Sequence, residues 1–330
     1  MARAFEYSRR LADLLSPARG KTAQEFFLDW RLPEDTGHTS LLCAELVRLA
    51  YAPQEVVAAA LPRAGLALAD WLGGETLGER WRSRGTDGFV TQADDAGRVL
   101  VVFRGTESDK PEDLLSDLKT RPVACPWAPG RVHAGFLAAY QSVRGSLQAA
   151  LSGAVPAGVR VVFTGHSLGA AVATLAAADW QASQPGRAAE LVTFGSPRVG
   201  DGVFAAGLGP LPTVRHVHCA DVVTRVPPSH FGRDEVADIL EGFVPSAWGL
   251  EVLARTVSSV AQFALGDPGF VHVGALRYID AVQRLHAAPP DEAGRRNDRV
   301  QARAAYGAID PVTLPDGNWP QTVDGLIDHV

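Results

Sequence analysis

Cysteine is scarce in this 330-residue sequence and follows no pattern. The three cysteines, Cys43, Cys125 and Cys219, are odd in number and far apart, which excludes a disulfide framework and the paired spacing of a zinc site. The first twenty residues are charged throughout and lack the apolar core and cleavage site of a secretory signal peptide. Unpaired thiols without a leader are typical of a reducing compartment, and we therefore predict a cytoplasmic location.

Long basic runs, internal repeats and low-complexity segments are also missing. The formal net charge is −6, and without a basic run the sequence lacks the electrostatic footprint of a nucleic-acid-binding protein. The 46% apolar and 21% charged residues are ordinary for a globular chain that is long enough to bury a large core. The sequence therefore predicts a folded protein with no nucleic-acid partner, and it does not indicate an oligomeric state.

One long uncharged run is present, "VVFTGHSLGAAVATLAAA" at 161–178, and its length approaches that of a short membrane span. Its first part is β-branched and has the composition of a strand, too short to cross lipid as a helix. Its last part is rich in alanine and predicts a helix packed closely on a sheet. The run is therefore predicted to be a strand, a sharp turn and a helix, and we predict no transmembrane segment.

Strand and helix signals alternate along the rest of the chain, which predicts an α/β fold with a mostly parallel central sheet covered by helices on both faces. Strands are predicted at 88–93, 98–105, 159–165, and in "AELVTFGSPRVGD" and "TVRHVHCADVV". Helices are predicted at 39–72, with two proline-marked breaks, and at 136–151 and 168–178. We predict one domain over 1–330, with a helical region at 1–87, a catalytic core at 88–280, a helical insertion or cap at 229–269 and a C-terminal segment at 281–330.

The turn inside the uncharged run has the pattern G-x-S-x-G, centred on Ser167 and flanked by Gly165 and Gly169. At a strand–helix junction this pattern exposes the serine hydroxyl at the carboxyl edge of the sheet, where open α/β sheets bind ligands. Glycine is needed on both sides because side chains there would collide. The helix N-terminus favours developing negative charge, so Ser167 is predicted to be a nucleophile.

Six segments in this order resemble the class 3 lipases, the family that includes the fungal triacylglycerol lipases. They are "VLVVFRGTES", "VHAGF", "VVFTGHSLGAAVATLAA", "LVTFGSPRVGD", "VRHVHCADVVTRVPP" and "FVHVGALRYI". The resemblance runs from about Ala44 to Ile279, with a last piece at His329. It implies an α/β-hydrolase fold and hydrolysis of acylglycerols or related lipid esters, at a lipid–water interface, through an acyl-enzyme on Ser167 and without a metal or organic cofactor.

A serine hydroxyl needs a base to take its proton, and a histidine base needs a carboxylate to orient it. In this fold the chain order is serine, aspartate, histidine. Asp201 and Asp221 both follow strand signals; the resemblance favours Asp221 as the catalytic carboxylate and implies a structural turn for Asp201. For the base it favours His329 in "GLIDHV", with His272 in "FVHVG" as the alternative.

The tetrahedral intermediate needs an oxyanion hole. The backbone N–H of Leu168, directly after the nucleophile, is one expected donor. The resemblance implies Thr106 as the second, through its backbone N–H and its hydroxyl, steadied by Asp117. Three positions before Asp117 the family usually has tryptophan, and here Leu114 stands there.

Two weaker signals leave alternatives. His216-x-His218 beside Cys219 could suggest a metal, but two imidazoles on one strand are more often polar core positions, so we predict no metal. The 229–269 insertion contains an amphipathic helix, which by default packs on the core and otherwise would cap an acyl pocket or meet a lipid surface. The alternatives for function are a non-catalytic lipid-binding or interaction protein that retains the fold, and an esterase or phospholipase with a different acyl substrate.

Overall fold

The computed structural model describes residues 37–52, 54–73, 87–105, 122–219, 221, 223–227, 229, 269–280, 285–291, 293–295, 297–298 and 301. The main helices are α1 (Gly37–Leu49), α2 (Gln54–Ala60), α3 (Ala134–Ala154), α4 (Leu168–Ser183) and α5 (Gly202–Gly207). The strands are β1 (Leu68–Gly73), β2 (Asp87–Thr91), β3 (Arg98–Phe103), β4 (Pro122–Ala124), β5 (Arg131–His133), β6 (Arg160–His166), β7 (Ala189–Phe194), β8 (Gly200–Asp201), β9 (Thr213–His218), β10 (Phe270–Val271), β11 (Ala275–Ile279) and β12 (Leu285–His286).

Eight strands form the central sheet, in the order β1-β2-β3-β6-β7-β9-β11-β12. The five strands from β3 to β11 in this order run parallel to one another, whereas β1, β2 and β12 pair antiparallel at the two edges. A smaller antiparallel sheet has the order β10-β8-β5-β4. The predicted, mostly parallel sheet is therefore confirmed, and the carboxyl ends of its central strands lie along one edge.

The central strands are almost entirely buried because helices cover both faces of the sheet. After its first residue, every residue of β3 and of β6 is buried, which explains their continuous β-branched runs. Alternate residues such as Val101 and Phe163 pack in one core cluster with α3 and α4. Their neighbours, such as Val102 and Val162, pack in a second cluster with α1 and α2.

The alanine-rich helix α4 buries the second half of the long uncharged run inside the fold. Every residue from Gly169 to Trp180 is buried, including Thr174 and Asp179. Small side chains on all sides let the helix approach both the sheet and α3 closely. Among the described residues no helix is both long enough and apolar enough to cross a membrane.

A buried carboxylate ties α4 to α3 at a distance from the carboxyl edge of the sheet. Asp179 accepts hydrogen bonds from the Tyr140 hydroxyl at 2.6 Å, from Arg144 Nε at 2.7 Å and from the Ser183 hydroxyl at 2.9 Å. Burial by itself would raise the pKa of Asp179, but these hydrogen bonds outweigh it and hold the pKa below its usual value. These hydrogen bonds therefore hold α3 and α4 together.

The prediction of a helical region over 39–72 is wrong at its end. Helices α1 and α2 occupy most of it, and the two predicted breaks separate them and form a 3-10 turn at Leu61–Ala64. The turn ends at Gly65, whose φ of 69° stops the helical path. The following strand β1 pairs antiparallel with β2, so a tertiary partner that local sequence does not reveal decides its conformation.

Candidate active site

Ser167 occupies the sharp turn between β6 and α4. Its φ of 54° and ψ of −122° give it the one positive φ among the described non-glycine residues. Its N–H donates to the Phe194 carbonyl at the end of β7 at 3.1 Å, and its carbonyl accepts from the Ala170 N–H at 3.0 Å. Such a conformation costs about 1–3 kcal/mol and persists only where the surroundings over-determine it. The strand, turn and helix predicted for 161–178 are present, with the serine at the strained point.

The two glycines of the turn are required by close backbone approaches. A Cβ on Gly165 would overlap the Gly169 carbonyl and lie 2.8 Å from Ala170 N. A Cβ on Gly169 would overlap the backbone at the end of β3, with Arg104 C at 2.7 Å. The collision expected from the sequence is therefore real for Gly165, whereas Gly169 makes room for the neighbouring strand.

The side chain of Ser167 is not used to hold the helix that it precedes. Ser167 is the N-cap of α4 but makes no side-chain capping hydrogen bond, and 7% of the residue is exposed. The N–H of Leu168 belongs to the first turn of this 16-residue helix, where backbone donors and the positive end of the helix dipole favour an anion. Negative charge that develops beside Ser167 would be stabilised there.

The end of β3 lies directly against this turn. A Cβ on Gly105 would be 3.1 Å from Ser167 Cβ and 3.0 Å from the His166 carbonyl. The chain therefore leads past the nucleophile candidate immediately before Thr106. Thr106 and Asp117 lie outside the described residues.

Asp221 lies in the loop that follows β9 and is 1% exposed. One carboxylate oxygen accepts the Val223 N–H at 2.8 Å, and the Thr224 hydroxyl donates to the Asp221 carbonyl at 2.9 Å. Its other oxygen, Oδ2, faces Gly195 at the end of β7, where a Cβ would lie 2.7 Å from Oδ2 and 3.4 Å from His166 Nε2. The fold thus brings Asp221 to the same sheet edge as the turn, two strands further along, with the end of β7 between them.

Arg198 holds the Asp221 loop from the side. Its Nη1 donates to the Arg225 carbonyl at 2.6 Å and to the Pro227 carbonyl at 2.8 Å. Its backbone N–H donates to the Val226 carbonyl at 2.9 Å. The segment after β7 therefore fixes the loop that carries the buried carboxylate.

Asp201, the other aspartate candidate, is engaged in a turn. It is the N-cap of α5 and accepts the Phe204 N–H at 2.8 Å, while its second oxygen accepts the Arg131 N–H at 3.0 Å. These bonds join the small sheet to α5. Both carboxylate oxygens of Asp201 thus hold a turn, which is the structural role that the family resemblance implies.

The described histidines occupy different environments. Burial lowers the pKa of His272 well below its usual value, and the guanidinium groups of Arg215 and Arg198 act in the same direction. His286 lies in β12, and its Nε2 is 2.9 Å from Asp280 Oδ2. His329 lies outside the described residues.

Sequence reasoning missed Tyr51, which joins two parts of the site. The Gly105 N–H donates to Tyr51 Oη at 2.9 Å, and the same oxygen is 2.9 Å from His166 Nδ1. Tyr51 begins the "YAPQ" segment. The proline of this segment indicates a helix break, and nothing in the segment indicates a contact with the site. Arg198 was missed as well, although its motif "GSPRVG" was recognised, because the carbonyls that it binds lie more than 25 residues away in sequence.

His216 and His218 on β9, with the adjacent Cys219, were the possible metal ligands, and they make other contacts in the structure. His216 stacks on Phe194 with 4.9 Å between ring centroids, and His218 Nε2 lies 3.9 Å from Cys219 Sγ. In the part of the chain that the structure describes, no group of three or more His, Cys, Asp or Glu residues is placed to hold a metal ion.

Comparison with known proteins indicates one family. The family model described as Lipase (class 3) matches residues 100–231, which span β3, the Ser167 turn and Asp221. This region is therefore similar to the class 3 lipases. The lipase of Rhizomucor miehei is 36% identical over 156 residues, covering 44% of this chain and 42% of that lipase. Secreted mono- and diacylglycerol lipase 1 of Fusarium solani is 43% identical over 151 residues, covering 44% of each chain.

The structural similarity to a solved lipase covers more of the chain than the sequence alignments do. A triacylglycerol lipase whose catalytic centre is described as a serine protease triad superposes with a TM-score of 0.55 at 24% identity, covering 77% of this chain and 84% of that one. The region similar to the class 3 lipases therefore has the α/β-hydrolase fold. The sequence alignments span less than half the length of the curated relatives.

The prediction of a cytoplasmic location is wrong, because a class 3 relative with 43% identity is named as a secreted enzyme. The cysteines misled the prediction. All three are buried, and burial raises the pKa of Cys43 to about 12. Thiols that are shielded and protonated in this way are unreactive in either redox environment, so they do not indicate a compartment.

Proposed function

We propose that this chain is a carboxylic ester hydrolase that cleaves acylglycerols or related lipid esters through an acyl-enzyme on Ser167. The observation that carries the proposal is the strained Ser167 at the junction of β6 and α4, with the buried carboxylate of Asp221 at the same sheet edge, two strands further along. A strained backbone at a serine with glycine on both sides is the arrangement that presents a nucleophile.

In the proposed reaction, Ser167 Oγ attacks the acyl carbonyl carbon while His329 takes the hydroxyl proton. Asp221 orients the histidine and stabilises its charged form. The carbonyl oxygen becomes negative and accepts hydrogen bonds from Leu168 N–H and from Thr106. The C–O bond to the alcohol then breaks, and the alcohol takes the proton from the histidine. Water repeats the sequence on the acyl-enzyme, releases the carboxylic acid and restores the serine.

The environment of His272 favours His329 as the base. Desolvation, together with the charges of Arg215 and Arg198, holds the pKa of His272 well below the usual range. An imidazole that binds a proton so weakly is a poor general base near neutral pH. Its environment suits a neutral structural histidine in contact with the Thr224 backbone.

The substrate class is proposed from the relatives. They are named as a lipase and as a mono- and diacylglycerol lipase, so we propose acyl esters of glycerol, met at a lipid–water interface. The predicted amphipathic helix of the 229–269 insertion would then cap the acyl pocket or contact lipid; Ser229 and Gly269 are described, and the residues between them lie outside the described part.

A fluorophosphonate probe, followed by mass spectrometry, tests this proposal. The wild-type protein should carry the label on Ser167 and hydrolyse p-nitrophenyl esters. Ser167→Ala should take no label and lose about four to six orders of magnitude in turnover while keeping its circular dichroism spectrum. The control is Ser142→Ala, which removes a hydroxyl that donates only within α3 and should behave as wild type. A wild-type protein that takes no label would favour the non-catalytic lipid-binding alternative.

A further inference from the structure

Tyr51 brings a buried hydroxyl to the carboxyl edge of the sheet. It stands two residues after α1, and it is 8% exposed. Its ring packs in the core cluster that α1 and α2 form against the sheet, together with Phe89 and Phe194. The hydroxyl thus reaches the end of the central strands from the face opposite α4.

This hydroxyl bridges the ends of two neighbouring strands. Strands β3 and β6 are paired as far as Phe103 and Gly165, and beyond that pair both chains leave the ladder. Tyr51 Oη accepts the Gly105 N–H at 2.9 Å and lies 2.9 Å from His166 Nδ1. A side chain from a distant helix therefore continues the connection where backbone pairing stops.

The Tyr51 hydroxyl makes both hydrogen bonds of this bridge. A hydroxyl has one proton and two lone pairs, so Tyr51 Oη can accept the Gly105 N–H and form a second hydrogen bond with His166 Nδ1 at the same time. His166 Nε2 is directed to Gly195, where Asp221 Oδ2 also approaches. The bridge thus connects the β3 end, the Ser167 turn and the surroundings of Asp221.

We propose that Tyr51 is a positioning residue that holds the end of β3, at Gly105, against the turn that carries the Leu168 N–H, one expected oxyanion donor. This inference rests on the proposed function. Thr106 directly follows Gly105, and Leu168 follows His166 by two residues, so the bridge holds the residue next to one donor against the turn that carries the other. Donors that act on a transition state must be held near their working geometry before the charge develops. Gly105 allows the contact, because a Cβ there would lie 2.5 Å from Tyr51 Oη.

The test compares two buried tyrosines. Tyr51→Phe keeps the ring and removes the bridging hydroxyl. Tyr140→Phe removes another buried hydroxyl, which donates to Asp179 at 2.6 Å, about 18 Å along α4 from Ser167 at a rise of about 1.5 Å per residue. Both variants should lose thermal stability, because Tyr51→Phe loses two hydrogen bonds and Tyr140→Phe loses one bond to a carboxylate.

The kinetic readouts separate positioning from stability. With a soluble p-nitrophenyl ester, Tyr51→Phe should lower kcat about 10- to 100-fold with KM within about threefold, since a displaced oxyanion donor acts on the transition state. The inhibition constant of an alkyl boronic acid, which forms a tetrahedral anionic adduct on the serine, should rise by a similar factor. Tyr140→Phe should keep the wild-type kcat and inhibition constant.

Wild-type kcat and boronic acid affinity in a folded Tyr51→Phe protein would overturn the inference, and so would equal kcat losses in the two tyrosine variants. If Tyr51→Phe does not fold, His166→Leu breaks the same bridge from its other end and should give the same kcat and inhibitor changes; their absence would overturn it. Failure of the wild-type protein to take the fluorophosphonate label would instead overturn the proposed function, independently of either tyrosine.

Discussion

Gly195 lies next to both Asp221 and His166, the residue before Ser167. It follows β7 with a φ of 55°, and its N–H donates to the His216 carbonyl at 3.0 Å. A Cβ at this position would lie 2.7 Å from Asp221 Oδ2. Two separate physical demands therefore select glycine here, a left-handed backbone and the space that the carboxylate needs.

A comparison of Gly195→Ala with a glycine substitution in open space separates these two demands. The left-handed backbone should cost about 1–2 kcal/mol of stability, and the new methyl group should displace Asp221 and lower kcat about 100-fold, because small misplacements of catalytic groups are expensive. Esterase kinetics and thermal denaturation measure both effects. The control is Gly186→Ala, with a φ of 83° and open space around its Cβ position. It should lose stability at unchanged kcat, and equal kcat losses in both variants would contradict this account.

Among the elements, the loop that carries Asp221 is held by a neighbouring segment in addition to its own hydrogen bonds. Arg198, four residues after β7, donates to carbonyls on both sides of Val226. Planar guanidinium groups suit this task because they present several donors in a fixed geometry. The loop is thereby attached to the strand whose end also contacts the Ser167 turn.

The substitution Arg198→Met should loosen this attachment. We expect kcat to fall about 10- to 100-fold with little change in KM, because Asp221 would lose its fixed position. Thermal stability should also fall, by about 1–3 kcal/mol, since two carbonyls lose their donor. Arg187→Met is a matched control, because Arg187 Nη2 likewise donates to two loop carbonyls, of Val155 and Pro156. An Arg198→Met enzyme with wild-type kcat would show that the loop keeps its position unaided.

For the whole molecule, buried imidazoles couple folding to pH. Burial lowers the pKa of His216 from 6.5 to about 4, and Arg277 on the adjacent strand acts in the same direction. The folded protein thus binds fewer protons than the unfolded chain between pH 6.5 and 4. The stability contributed by neutral His216 is complete above pH 6.5 and is lost as the pH falls toward 4.

The free energy of unfolding should therefore drop by about 3 kcal/mol between pH 7 and pH 4 from His216 alone, at about 1.36 kcal/mol per pKa unit. His216→Phe keeps a ring to stack on Phe194 and removes the titration, so its free energy of unfolding should fall less over this range. Urea denaturation at several pH values measures the difference. Equal decreases in the wild type and the variant would mean that His216 does not contribute to the acid sensitivity.

The fold was predictable from sequence where the signal is local. The β-branched runs of β3, β6 and β7 and the alanine-rich α4 were recognised because central strands are buried on both faces and a closely packed helix needs small side chains. Strand β1 was mistaken for helix because its conformation comes from pairing with β2. The prediction of a cytoplasmic location was wrong because buried thiols do not indicate whether a protein works in a reducing or an oxidising environment.

The sequence by itself determined the Ser167 turn. A strand signal, two glycines around a serine and a helix signal lie within a few residues, and the steric demand that joins them acts over the same short distance. Only the tertiary structure decided what surrounds that serine. Tyr51 meets His166 across 115 residues and Gly105 across 54, and Arg198 reaches Pro227 across 29. Hydrogen bonds of this kind depend on strand order and helix placement, which are set by burial of the whole core. The local sequence around each residue therefore does not predict them.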